Sequence, residues 1–150
     1  MDEVKRVVRE HWGRRAAGFD AGKTHGILSA EQGEAWRELV RGVLGEGAKE
    51  VLDVGCGTGF LALMAAAMGH RAVGVDLSPE MVALAREKAA REGLAAEFVE
   101  GDVEALGFAA ERFDVVMGRH LLWTLPRPAE ALAEWRRVLR AGGDVVLIEG

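Results

Sequence analysis

Apolar positions along the chain fall first into a helical period and then into short continuous runs, and that change lays out the elements. Val4, Val7, Val8, His11 and Trp12 recur at helical spacing, which predicts an amphipathic helix from the first residues to about Ala17 with an apolar face that either covers a ligand site or shields the sheet. Gly18 to Gly22 breaks the period and Thr24 to Leu28 has none, so this stretch reads as a loop. Ser29 with Gln32 three residues on makes a capping box. It opens a second helix through Ala35, Trp36, Leu39, Val40 and Val43 to Leu44, stopped by Gly45-Glu46-Gly47.

From Val51 onward the runs are of strand length: Val51 to Val54, Arg71 to Asp76, Ala96 to Val99, Phe113 to Met117 and Asp144 to Glu149. Near-continuous apolar runs suit parallel strands covered on both faces. Between them lie helical patterns whose buried faces are Leu61, Leu63 and Met64, then Met81, Leu84 and Ala85, then Leu132, Trp135, Val138 and Leu139. Ser78-Pro79-Glu80 supplies an N-cap, a first-turn proline and an acid, and Gly93 ends that helix. Residues 103–112 read as a loop. The last helix starts near Pro128, carries Arg136, Arg137 and Arg140 where the dipole favours cations, and is capped by Ala141-Gly142-Gly143. Strand–helix alternation predicts an α/β fold, a doubly wound, Rossmann-like and mostly parallel sheet. Ligands lie outside the carboxyl ends of such strands, where the strand order reverses.

Composition narrows the picture. The 150 residues are 49% apolar, enough for one real core, so we expect a single domain with residues 1–45 as a helical cap and 46–150 as the α/β core. A net charge of -5 disfavours nucleic acid as a partner. No apolar run approaches a membrane span and the charged N-terminus has no signal-peptide character, which predicts no membrane partner and a cytoplasmic protein. One cysteine excludes an intrachain disulfide, and His11, His25, His70 and His120 fall at no metal-ligand spacing, so no metal is expected. Fifteen arginines to four lysines with no asparagine fit a heat-adapted source and GC-rich codon bias equally well.

The chemistry concentrates between Lys49 and Asp76. Val51-Leu52-Asp53-Val54 runs into Gly55-Cys56-Gly57-Thr58-Gly59, whose alternate glycines permit positive φ and close approach of a ligand. The helix from Phe60 aims its unpaired N–H groups at the same place. Asp76, at the carboxyl end of the second run, stands where a carboxylate accepts both hydroxyls of a ribose. Gly57 to Ala62 alone also fits the dinucleotide pattern, which leaves a nicotinamide oxidoreductase as a distant alternative. Further residues separate the two: Asp53 inside the strand, Gly101-Asp102 after the third run, and Phe113-Asp114-Val115-Val116 opening the fourth.

Taken together, V-L-D-V-G-C-G-T-G-F, V-G-V-D-L-S-P-E-M, V-E-G-D, R-F-D-V-V and L-R-A-G-G-D-V-V-L-I resemble the class I S-adenosylmethionine-dependent methyltransferases over residues 35 to 150, in particular small-molecule, type 11-like members. The resemblance implies strand order 3-2-1-4-5, N-terminal helices over the cofactor site, S-adenosylmethionine as cofactor and S-adenosylhomocysteine as product. It places Asp76 on the ribose, Asp102 and Val103 beside the adenine, and Gly55, Cys56, Gly57 and Gly59 under the methionine portion, with Leu77 and Met81 flanking the adenine. Asp53 reaches either the glycine-loop amides or the cofactor's ammonium group. His11-Trp12-x-x-Arg15-Ala16-x-x-Phe19-Asp20 is similar to the opening of many small-molecule members, with Phe19 where they usually carry Tyr. Cys56 is expected to be a small loop residue with no base to activate it.

His120, just after the fourth strand, borders the implied acceptor site, and histidine is the side chain suited to proton transfer near neutral pH, which makes it the candidate base; Arg119 beside it is a candidate cofactor contact. No Asn/Asp-Pro-Pro-aromatic stretch of nucleic-acid amino methylation is present. The expected acceptor is a small or lipid-like molecule, with Leu121 or Leu122 and Trp123 as apolar lining unless Trp123 is core. The class usually continues past the fifth strand with a helix and two more strands. Val145-Val146-Leu147-Ile148 is then expected to be an apolar edge that completes its sheet within a longer chain or against a second copy. Binding of S-adenosylmethionine without turnover is the alternative function.

Overall fold

The computed structural model describes residues 2–21 and 29–149, and the side chains of 19–21 are not described. The stretch Thr24 to Leu28 with His25, and the ring of Phe19, therefore lie outside the described residues. Along the chain run α1 (Glu3–Arg15), a 3-10 turn (Ala16–Ala21), α2 (Ala30–Leu44), β1 (Glu50–Val54), α3 (Phe60–Ala67), β2 (Arg71–Asp76) and α4 (Pro79–Glu92). There follow β3 (Glu97–Glu100), β4 (Phe113–Arg119), a short 3-10 turn (Leu122–Thr124), α5 (Pro128–Val138) and β5 (Leu139–Ile148). The strands form one parallel sheet in the order β3-β2-β1-β4-β5, as the resemblance implied. Among the described residues, no helix is long and apolar enough to cross a membrane.

Alternation along β1 divides the core. Val51 joins Val40, Leu44, Leu61, Val82 and Phe98 on the face covered by α2, α3 and α4, whereas Leu52 and Val54 join Trp135, Val138 and Phe113 on the face covered by α5. Asp53 has the parity of Val51, and is held inside at 2% exposure. The caps fall where the sequence puts them: the hydroxyl oxygens of Ser29 and Ser78 accept from the backbone N–H of Gln32 and Met81, and Gly93 closes α4 in the left-handed region.

Several expectations need correction. Helix α1 does not bury its valine face: Val4 and Val7 are about half exposed, while Lys5 is buried. Lys5 meets Asp102 and Glu104 while Gly13 abuts α4, and periodicity of apolar residues cannot register a buried lysine that is stabilised by carboxylates. The α-helix does end before Gly18, at Arg15, but the stretch that follows is a 3-10 turn to Ala21 and not an irregular loop. On α5 the buried residues are Ala131, Trp135 and Val138, and Leu132 faces solvent.

The Ala141-Gly142-Gly143 triplet is not a helix cap, because β5 already begins at Leu139. Leu139 pairs with Phe113 and Asp144 with Val115, so Arg140 to Gly143 bulge out opposite Asp114. Gly142 has a φ of 80°, and a Cβ on Gly143 would lie 2.8 Å from the carbonyl oxygen of Asp114. The glycines serve the bulge.

Candidate functional site

Because β1 and β4 are neighbours whose following segments leave on different faces, a cleft opens at their carboxyl ends, and the glycine turn forms its floor. Gly55, Gly57 and Gly59 all have positive φ. At Gly55 a side chain is excluded twice, by its φ of 64° and by Leu121, whose Cδ1 would be 2.6 Å from an added Cβ. Gly55, Cys56 and Gly57 line the cleft, while Gly59 sits behind them as the N-cap of α3, facing the Phe98 ring. The Cys56 thiol is buried and burial pushes it well above the ordinary thiol range, which suits a packed loop residue.

Two carboxylates are fixed by backbone amides around this turn. Asp53 accepts the N–H of Ala62 in the first turn of α3 at 3.0 Å. Burial pushes it up to about 7, against the pull of that N–H and of Arg119. Asp76 accepts the N–H of Gly57 on one oxygen and that of Ser78 on the other, both at 2.9 Å. Burial raises it too, although these bonds work the other way.

Arg119 ends β4 with its guanidinium carbon 3.7 Å from the ring centre of Phe60 and 5.1 Å from that of Trp36. Two aromatic faces thus hold a cation at the cleft beside Asp53. His120 follows at a φ of 52°, a conformation uncommon for a side chain with a Cβ. Its backbone N–H donates to Ile148, and Glu149 Oε1 accepts from both Leu121 and Leu122, so the end of β5 secures this turn.

Leu77, Met81, Asp102 and Val103 form the other end of the cleft. The Val103 carbonyl accepts from the indole N–H of the fully buried Trp135 at 3.0 Å, so α5 sets the position of that loop. Asp102 accepts the N–H of Glu104 at 2.9 Å and faces Lys5 Nζ at 2.6 Å. Burial works to lower the Lys5 pKa, but Asp102 and Glu104 outweigh it and hold the ammonium group above its ordinary value. Val8, Arg9 and Trp12 of α1 and Thr124, Leu125 and Pro126 complete the lining.

The structure thus brings Asp53, Gly55, Cys56, Gly57, Asp76, Leu77, Met81, Asp102, Val103, Arg119 and His120 to one cleft. Trp123 does not join them. It is 71% exposed, so it is not core, and it lies outside the cleft lining, while Leu121 lines the cleft and Leu122 does not. Sequence reasoning missed Lys5, Glu104 and Phe60. For Lys5 a signal existed, since positions 5, 8, 9 and 12 make a helical stripe, but its charge placed it on the outer face by default.

A nucleoside sulfonium fits this set of groups: carboxylates for a diol and for cationic groups, amides of a glycine turn, and apolar walls at Leu77, Met81 and Val103. Comparison with known proteins points the same way. Residues 52–147 match the family model described as "Methyltransferase domain". The demethylmenaquinone methyltransferase of Thermus thermophilus is 40% identical over 126 residues, covering 82% of this chain and 57% of that protein. Among solved structures, the [4+2]-cyclase SpnF superposes with a TM-score of 0.83 at 25% identity, over 95% of this chain and 59% of that one. A SAM-dependent methyltransferase from Aquifex aeolicus does so with a TM-score of 0.64 at 28% identity, over 69% and 58%. The chain therefore spans little more than half the length of these relatives, and it belongs to the methyltransferase-domain family, the class I S-adenosylmethionine-dependent methyltransferases.

Proposed function

We propose that this protein transfers the methyl group of S-adenosylmethionine to a small, apolar acceptor by in-line displacement. The observation that carries the proposal is the convergence of Asp53, Asp76 and the glycine turn on one cleft at the carboxyl ends of β1 and β2. Asp76 accepts the ribose hydroxyls on lone pairs left over from Gly57 and Ser78. Leu77, Met81 and Val103 flank the adenine, with Asp102 at its edge. Gly55, Cys56 and Gly57 border the methionine portion, with Gly59 behind them shaping the turn. Arg119 takes its carboxylate and Asp53 its ammonium group.

When bound, the cofactor supplies a methyl group already activated on a sulfonium. The chain then has three tasks: to align the acceptor, to keep water out, and to take a proton where the acceptor arrives protonated. Val8, Trp12, Leu121 and Leu125 supply an apolar wall for alignment and exclusion. His120 takes the proton, held toward the cleft by its left-handed backbone. The relative from Thermus thermophilus acts, by its name, on demethylmenaquinone, so quinone-like rings are the first acceptors to try. Binding without turnover is the second reading, because the chain spans 57% of that relative and SpnF is a cyclase. An acceptor-library screen for release of S-adenosylhomocysteine separates the two. Release with at least one acceptor supports transfer, and silence across a broad panel supports binding alone.

A further inference from the structure

Ion pairs clip α1 to the wall of the cleft, and one of them is buried. Arg9 meets Glu100 at 3.1 Å and Asp2 faces Arg127 at 3.6 Å, both in solvent-exposed settings where such pairs contribute little. Lys5 differs. Its side chain is 10% exposed, and its Nζ lies 2.6 Å from Asp102 Oδ2 and 2.7 Å from Glu104 Oε1, on a glutamate whose side chain is 1% exposed. The contact with Glu104 is a charge contact that falls short of an aligned hydrogen bond, and among the described residues that oxygen has no hydrogen-bond partner.

Lysine and glutamate are almost never buried unless paired, and removing one partner of such a pair strands the other charge without water. Glu104 Oε2 accepts the backbone N–H of Arg127, whereas Oε1 faces the Lys5 charge, so seating α1 without Lys5 would leave that oxygen dry and uncompensated. The same helix carries Val8 and Trp12 into the cleft lining, and its Gly13 abuts α4, where an added Cβ would lie 2.7 Å from Glu80 Oε2. With α1 down, the cleft is roofed beside the adenine end. With α1 raised, Asp102 and Glu104 regain water and the roof is gone.

We propose that Lys5 is a latch: its ammonium group, between Asp102 and Glu104, holds α1 closed over the cleft and sets how fast the cofactor leaves. It is a positioning residue, since it acts through α1 and through the Asp102 carboxylate. The inference rests on the cofactor assignment above.

Two measurements on Lys5→Met test it: dissociation of S-adenosylhomocysteine by stopped flow, and hydrogen exchange in the ligand-free protein. Dissociation is expected to accelerate about tenfold or more, with faster exchange across residues 3–15 and unchanged exchange in β1, β2 and β4. Adding Glu104→Gln to Lys5→Met removes the stranded charge and is expected to bring dissociation back toward the wild-type rate. If Lys5→Met does not fold, Lys5→Gln keeps a donor for the acids and is expected to raise dissociation several-fold, about threefold or more. Wild-type dissociation in folded Lys5→Met, or in folded Lys5→Gln where Lys5→Met does not fold, overturns the latch, as do faster α1 exchange without faster dissociation and a double variant that releases the ligand no more slowly than Lys5→Met. Failure of the wild-type protein to bind S-adenosylhomocysteine overturns the cofactor assignment, and the latch with it.

Discussion

The carboxylate of Asp76 bonds back to the glycine turn, with Oδ2 2.9 Å from the backbone nitrogen of Gly57. One acid thus shapes the floor of the cleft and, in the function proposed above, also accepts the ribose hydroxyls. Replacing it removes the diol acceptor and loosens the turn. Charge-assisted hydrogen bonds contribute about 1.5 to 3 kcal/mol, so Asp76→Ala should weaken S-adenosylhomocysteine binding roughly ten- to hundredfold. Calorimetry is the check, and unchanged affinity in a folded variant would remove Asp76 from the site.

Asp53 gives the site a pH dependence. Burial raises its pKa to about 7, above the unfolded value near 4. Between those values the folded chain holds a proton that the unfolded chain releases, so stability falls as pH rises through the window. Asp53→Asn should flatten that part of the melting-temperature profile between about pH 4 and 7. Cofactor binding runs the other way, because a cation favours the ionised carboxylate. Affinity for S-adenosylmethionine should rise with pH up to about 8 in the wild type and stay flatter in Asp53→Asn. Parallel profiles in the two proteins would contradict the assignment.

How far the sequence reached, and where it stopped, follows from the kind of signal involved. The sheet order came from a resemblance carried by short-range patterns, the glycine turn, Asp76 and Gly101-Asp102, each local in sequence and each at the cleft. Helix ends at Ser29, Ser78 and Gly93 were legible because a cap is a local hydrogen bond or a local φ. Lys5, Glu104 and the start of β5 were not. A buried ion pair joins residues 99 positions apart, and the bulge at Arg140 to Gly143 follows from pairing with β4, which no window around β5 contains. Trp123 was misplaced for a related reason, since hydrophobicity alone does not say which side of a 3-10 turn meets the cleft.

For His120 the test must spare the backbone. At a φ of 52° alanine would add strain of about 1 kcal/mol, so His120→Asn is the better replacement, asparagine being tolerated there. Turnover of a protonated acceptor should fall about a hundredfold with cofactor affinity unchanged. A fall in affinity instead would make His120 a binding residue.

Among the described residues the outer edge of β5 is unpaired, and Val145 is 38% exposed on it. Such an edge recruits another strand. We predict that this edge is completed either within a longer chain or, for these 150 residues alone, by a second copy that associates through β5 as concentration rises. Light scattering over a dilution series decides it: a stable monomer at every concentration would mean the edge is protected in another way.

The central claim is that the cleft holds S-adenosylmethionine, and competitive calorimetry on the wild-type chain tests it most directly. S-adenosylhomocysteine should bind at micromolar concentrations, and NADH should neither bind comparably nor displace it. Tighter binding of NADH, or no binding of S-adenosylhomocysteine, would contradict the account.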